Sequence, residues 1–361
     1  MERIYSLQGL RGLAVLGVVL FHMTSVEQKY GGGDRLLPAV LDFFQLGVDL
    51  FFIISGFVMV IVSRGRFQDR RQTRRFLFNR VARVYPTYWL YYALTLAVVW
   101  VQPSWVNASH GDSSLLLSFL LLPNDKVLLV MVAWSLLFEL WFYLVFSALM
   151  GFRERWLPAF LVGWSLALVG FNLFQNWGNY NATLRLILHP YALEFIMGVA
   201  LALFSFSRHS PRVPTWTLAT LMLVALIPGV AAIGYFRVFD EQGLLRMLVV
   251  SAVFGTVIVG AVLLEQRSRL FIPRMLVAIG DMSYTVYLSH LLVLGAIGKL
   301  WQWIGPRPDT LLDNALLCVL MLAAVVCYGW VGYRGFEKPI LDRANQFSRR
   351  HWRVDGIGGR A

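Results

Sequence analysis

The stretch LQGLRGLAVLGVVLFHM, Leu7 to Met23, decides how the rest of the chain is read. Its length is close to the roughly 20 residues that a bilayer's hydrocarbon core requires, yet it keeps Arg11 near its start and His22 near its far end. On a helix the two positions differ by three full turns plus roughly 20°, so both project from one face, roughly 16 Å apart along the axis. The run is not followed by a small-residue cleavage site and leads into a second apolar run, so it reads as a retained span and not a signal peptide.

Working outward, the same character covers the chain. Of 361 residues, 58% are hydrophobic and only 14% charged, a balance outside the soluble range and typical of a multispanning membrane protein. Apolar runs at about 7–25, 45–62, 84–101, 128–150, 157–174, 184–206, 214–233, 244–265, 276–298 and 314–332 predict an all-α integral membrane protein of about ten transmembrane helices. The segment 113–123, SSLLLSFLLLP, is too short to span and reads as an interfacial or re-entrant helix.

The net charge of +12 is a topology signal and does not point to nucleic acid. With the N-terminus inside, 24 of the 32 Lys and Arg residues fall on the cytoplasmic side, the positive-inside pattern, which puts both termini in the cytoplasm. Residues 1–340 read as one membrane domain and 341–361 as a basic cytoplasmic tail without a fixed place. Cys318 and Cys327 fall on opposite faces of the last span and cannot pair. The dispersed histidines offer no metal site, and no phosphate-cradling glycine loop is present.

An ionisable side chain near the bilayer centre costs about 2.5–3.5 kcal/mol on insertion scales, so such residues are functional candidates by default. Arg11, His22, Asp49, Glu139, Glu194, Asp281 and His290 qualify. Arg11 can hold an anion near the cytoplasmic end of a path, and a neutral His22 deeper on it can take a proton from an attacking hydroxyl. Arg80 and Arg83, neighbours on a helix, stand on the same side and could clamp a phosphorylated ligand. Arg64 to Arg75 read as an ordinary positive-inside loop, while Tyr85, Pro86 and Trp89 read as the interfacial entry of the third span.

Trp134, Ser135 and Glu139 share one helical neighbourhood, where Glu139 needs a partner: His22, a bound hydroxyl or an arginine. Asp49 is expected to meet an arginine within the bundle, and Ser55-Gly56 to let two helices approach closely. His290 is either a packed polar residue or an alternative base.

These segments together resemble the acyltransferase 3 family of integral membrane acyltransferases. The resemblance rests on Arg11 and His22 in the first span, GVDLFFIISGF at Gly47 to Phe57, and the Arg80, Arg83, Pro86, Tyr88, Trp89 run. It continues through WSLLFE at Trp134 to Glu139, EFIMGVALA at Glu194 to Ala202, SYTVYLSH at Ser283 to His290 and YRGFEKP at Tyr333 to Pro339. In the fourth-span motif the family often has two consecutive acids, whereas here Leu140 follows Glu139.

The resemblance implies transfer of an acetyl group from acetyl-CoA to a hydroxyl of an exopolysaccharide, its lipid-linked repeat unit or another envelope carbohydrate, in a bacterial inner membrane. It implies that Arg11, Arg80 and Arg83 bind the CoA phosphates. His22 would be the general base, with Glu139 orienting the acceptor or the histidine. Asp49, Trp134, Ser135 and His290 would contact substrate. Acetyl-CoA would be a donor substrate, with no permanently bound cofactor. Transfer of succinyl or another acyl group, and a polytopic transporter or flippase, are the alternatives; against transport stand the absence of internal repeats and of paired broken helices.

Overall fold

The computed structural model describes residues 3–32, 36–102, 113–174, 180–207, 214–237, 243–304 and 311–352, and among these residues it is helical with no strand. The helices are α1 (Tyr5–Tyr30), α2 (Gly47–Ser63), α3 (Arg70–Val101), α4 (Leu115–Leu120), α5 (Trp134–Leu149), α6 (Leu157–Phe174) and α7 (Ala182–Leu188). They continue with α8 (Tyr191–Ser205), α9 (Thr215–Arg237), α10 (Leu244–Gln266), α11 (Arg274–Asp281), α12 (Ser283–Ile304), α13 (Leu311–Gly332) and α14 (Lys338–His351).

Eight helical segments among the described residues are long and apolar enough to cross a bilayer, and α11 with α12 makes a ninth if the pair is one span. The protein is a multi-pass membrane protein. The run expected at 276–298 is not one straight helix: α11 and α12 meet at 75° across Met282. The apolar count sees continuity there because it is blind to direction. The run expected at 214–233 falls on α9, a helix of 23 residues.

The helix of the third span begins well before its expected membrane entry at Pro86. α3 starts at Arg70, where the Asp69 carboxylate accepts from the backbone N–H of Arg71 at 2.8 Å and of Gln72 at 3.3 Å, and it runs through Pro86 without a break. α3 therefore carries Arg75, Arg80 and Arg83 on one continuous rod. The short apolar segment is α4, held on the flank of α3 by four aromatic donors. Tyr85, Tyr88, Trp89 and Tyr92 donate to the carbonyls of Leu120, Ser118, Phe119 and Leu115. A helix of six residues leaves most of its carbonyls without intrahelical partners, and α3 supplies them.

α2 is the hub, with 72% of its apolar window buried, against 17% for the α6 window, which lies at the rim. α2 crosses α8 at backbone contact: a Cβ on Gly56 would sit 2.0 Å from the Phe195 carbonyl oxygen, and one on Gly198 would sit 1.9 Å from that of Ile53. Only glycine fits at either position, as expected at Gly56. α1 crosses α11 in the same way, with Gly280 against the Gln8 carbonyl. The N-terminus of α1 has no cap of its own; Glu265 of α10 accepts from the backbone N–H of Tyr5 at 2.7 Å and of Ser6 at 2.8 Å. That carboxylate satisfies two orphan donors and complements the helix dipole, fixing the register of Arg11 against its neighbours.

Residues 338–352 do not behave as a free tail. α14 lies along α3, where Arg75 donates to Ser348 Oγ at 3.2 Å and Phe347 and Trp352 pack on Phe78. Residues 353–361 lie outside the described residues.

Candidate functional site

Three cavities lie in a row through the bundle. The middle one, of about 300 Å³, is bounded by α1, α2, α3, α5 and α12 and lined by Arg11, Arg80, Arg83, Ser135 and Glu139, five of the residues expected at the site. Arg11 donates to Ser283 Oγ at 3.0 Å. The Arg80 guanidinium lies over the rings of Tyr143 and Phe76, at 5.6 and 5.7 Å from their centroids. Glu139 accepts from Ser55 Oγ at 3.2 Å and from the Tyr143 hydroxyl. Its partners are thus two hydroxyls, not His22 and not an ion-paired arginine.

Ser135 shares no hydrogen bond with Glu139; it meets the Tyr287 hydroxyl at 2.8 Å, and that hydroxyl donates to the Val132 carbonyl at 2.9 Å. Glu337, in the π-helical turn Tyr333–Glu337, caps the start of α12 by accepting from Thr285 N–H at 3.1 Å and Thr285 Oγ1 at 2.5 Å. Among the described residues no carboxylate lies within 4 Å of Arg11, Arg80 or Arg83. Three guanidinium groups against the more distant Glu139 and Glu337 leave the middle cavity with an excess of positive charge in a water-poor space.

The second cavity, also about 300 Å³, shares Arg80 and Arg83 with the first and adds Arg66, Gln72, Arg75 and Asn79, with Leu341 and Asn345 of α14 closing one side. Gln72 Oε1, Asn79 Oδ1 and Arg80 Nε are buried there without hydrogen-bond partners among the described residues. Buried polar atoms left unsatisfied mark a place built for a guest. Arg66 and Arg75 read as ordinary loop cations from the sequence; Arg75 is carried by α3, which starts at Arg70, and Arg66 by the turn before it, and both line the cavity.

The third cavity, about 170 Å³, lies beyond the first, and Val48 and Tyr287 form the wall common to both. It holds His22, Asp49 and Trp134, three of the four remaining expected residues, along with Gln45, Tyr191 and Arg246; the fourth, His290, lines none of the three cavities. Arg11 and His22 therefore share a helix face, but they open into different chambers. The His22 ring lies 5.1 Å, centroid to centroid, from the ring of His290, whose Nδ1 lies 2.7 Å from the Tyr287 carbonyl. A carbonyl can only accept, so Nδ1 carries the proton and Nε2 is left as a bare acceptor, with no partner among the described residues.

Asp49 pairs with Arg246 at 3.3 Å, the arginine that its sequence position called for. Arg246 is the residue that pattern reading missed. It stands at the first turn of α10 and looks like a boundary cation, although it is 6% exposed.

Residues 4–334 match the model of an acyltransferase domain. The chain belongs to the acyltransferase 3 family. It is a membrane acyltransferase. Among curated relatives it is 29% identical to the exopolysaccharide production protein ExoZ of Rhizobium meliloti, over 87% of this chain and 94% of that protein. It is 25% identical to the acyltransferase MdmB of Streptomyces mycarofaciens, over 94% and 92% respectively. The peptidoglycan O-acetyltransferase OatA of Listeria monocytogenes is 24% identical over 95% of this chain, which spans 56% of that longer protein. No solved structure matches the chain. The family match spans α1 to the start of the π-helical turn and so takes in nearly every residue that lines the three cavities.

Proposed function

We propose that the protein moves an acetyl group from acetyl-CoA to a hydroxyl of an exopolysaccharide or another cell-envelope carbohydrate. The observation that carries this reading is the row of cavities in a family of acyltransferases: an arginine-rich pair at one end, His22 at the other, and one shared wall between them. Both arginine cavities lie on the face that the positive-inside bias assigns to the cytoplasm, where acyl-CoA is made. The polyanionic end of the donor fits among Arg66, Arg75, Arg80 and Arg83, and its slender thioester arm fits past Glu139 and Tyr143 toward Val48 and Tyr287.

At that wall the acceptor oxygen attacks the thioester carbonyl as His22 takes its proton. The carbon–sulfur bond then breaks, the proton passes to the departing thiolate, and the products are an ester and free CoA. Enclosure by the helices keeps water from the thioester and favours transfer over hydrolysis. Glu139, fixed by Ser55 and Tyr143, serves the donor side. A succinyl donor would use the same steps.

The test is a gene deletion complemented with the native chain or with His22→Ala at matched membrane abundance, followed by measurement of ester-linked acetyl on extracted polysaccharides. The native chain restores the ester and His22→Ala does not. Equal restoration by both would remove His22 from the chemistry, and no change in any ester would remove the acyl-transfer reading.

A further inference from the structure

We infer that the outer cavity is an acceptor subsite for a single uncharged sugar ring, and that the Asp49–Arg246 pair with Glu194 makes it reject acidic sugars. The inference rests on the acyl-transfer reading above and goes beyond it by naming the chemistry of the acceptor. The cavity combines two kinds of surface. Trp134 and Tyr191 have ring centroids 5.5 Å apart at an interplanar angle of 32°, a pair of aromatic faces against which the C–H face of a sugar can lie. Gln45, Asp49 and Arg246 supply the directional donors and acceptors that hydroxyl groups need. His22 opens into the same space, so a ring seated there puts a hydroxyl beside the base.

The charge is what sets the class. Arg246 is the sole Lys or Arg lining the outer cavity among the described residues, and its guanidinium is already matched by Asp49 at 3.3 Å. Glu194, fully buried on α8, lies beside both groups. The one cation of the cluster is therefore already matched by a carboxylate. A carboxylate on the acceptor would meet Asp49, backed by Glu194, with no spare cation to receive it, in a space too poor in water to screen the repulsion. Asp49 and Glu194 occupy the first turns of α2 and α8, so the positive helix ends there are also already spoken for. The other arginines lie on the far side of Val48 and Tyr287, with Arg11, Arg80 and Arg83 in the middle cavity and Arg66 and Arg75 beyond it. The small volume, about 170 Å³, suits one ring and leaves the remainder of a polymer outside.

The experiment uses the full-length protein in detergent with acetyl-CoA and two probe acceptors that differ only in charge, p-nitrophenyl glucoside and p-nitrophenyl glucuronide. The readout is kcat/KM for each. The native chain should prefer the glucoside by at least about tenfold. Asp49→Asn, which frees the Arg246 charge, should shift that ratio toward the glucuronide by about tenfold, whatever it does to the overall rate. Should Asp49→Asn fail to assemble, Arg246→Gln provides the opposite shift, since removing the one cation must sharpen the preference. A native chain that takes the glucuronide as well as the glucoside, or a ratio unmoved by either variant, overturns the inference while leaving acyl transfer intact. If acetyl-CoA is not consumed with either probe or with extracted polysaccharide, the acyl-transfer reading fails and takes the inference with it.

Discussion

The two ends of the cavity row are built from largely different helices, α3 and α14 at the inner end and α1, α8, α10 and α12 at the outer, and on opposite electrostatic plans. At the inner end, Arg75, Arg80 and Arg83 of α3 and Arg66 of the turn before it line one cavity with no carboxylate within 4 Å among the described residues, and three buried polar atoms lack partners. At the outer end the one cation is already paired: Arg246 meets Asp49, Glu194 lies beside them with both carboxyl oxygens lacking hydrogen-bond partners among the described residues, and aromatic rings line much of the rest. An unbalanced cluster of guanidinium groups is stable only because it faces cytoplasm or a bound anion, so it is a place for a ligand that brings its own charge. A balanced cluster holds itself together and leaves its remaining hydrogen-bonding capacity for a neutral ligand. Removing one residue should therefore do different damage at the two ends: loss of fold outside, loss of donor affinity inside.

The largest effect belongs to the outer end. Asp49→Leu leaves Arg246 charged and unpaired in the bundle, and the expected loss is about 3–5 kcal/mol of stability, read as a fall in Tm in detergent. Adding Arg246→Met should return most of it, because a well-packed apolar pair replaces an ion pair at little cost. A Tm unchanged by Asp49→Leu would break the contrast at once. The inner end should respond in the other currency. Arg83→Gln should keep the native Tm but weaken acetyl-CoA binding by about 1.5–3 kcal/mol, or roughly ten- to a hundredfold in Kd. Titration calorimetry at two salt concentrations would sharpen this, since the native affinity should fall with salt more steeply than that of the variant. The smallest effect lies away from both chambers: Tyr88→Phe removes the hydrogen bond to the Ser118 carbonyl and should cost about 1 kcal/mol of stability with no change in donor affinity.

Much of this contrast was legible in the sequence, and the reason is local. Membrane spans are compositional, so apolar runs locate nearly all of the long helices. Helical phase is periodic, so Arg11 with His22 and Arg80 with Arg83 could be put on shared faces from spacing alone. A small residue beside Ser55 signalled a close crossing, found where Gly56 meets α8. What spacing could not supply is anything that depends on two distant segments meeting. Asp49 demanded a cation, yet only the packing of α10 on α2 identifies it as Arg246. The bend at Met282 and the wall formed by Val48 and Tyr287 arise from tertiary geometry that an apolar count averages away. Spacing left Glu139 with three possible partners, His22, a bound hydroxyl or an arginine, and only the packing of α5 gives it the hydroxyls of Ser55 and Tyr143. α14 looked like a loose tail because its composition is polar, although its aromatic residues at Phe347 and Trp352 are what attach it to α3.

The most direct test of the account is to separate donor binding from transfer in one variant. Purified native protein and His22→Ala are compared for acetyl-CoA affinity by calorimetry and for acetyl transfer to extracted polysaccharide. Because His22 and the arginines open into different chambers, His22→Ala should bind acetyl-CoA within about twofold of native while losing at least about a hundredfold in transfer. Loss of donor binding together with transfer would contradict the division into two ends, and transfer at the native rate would contradict the role given to the histidine.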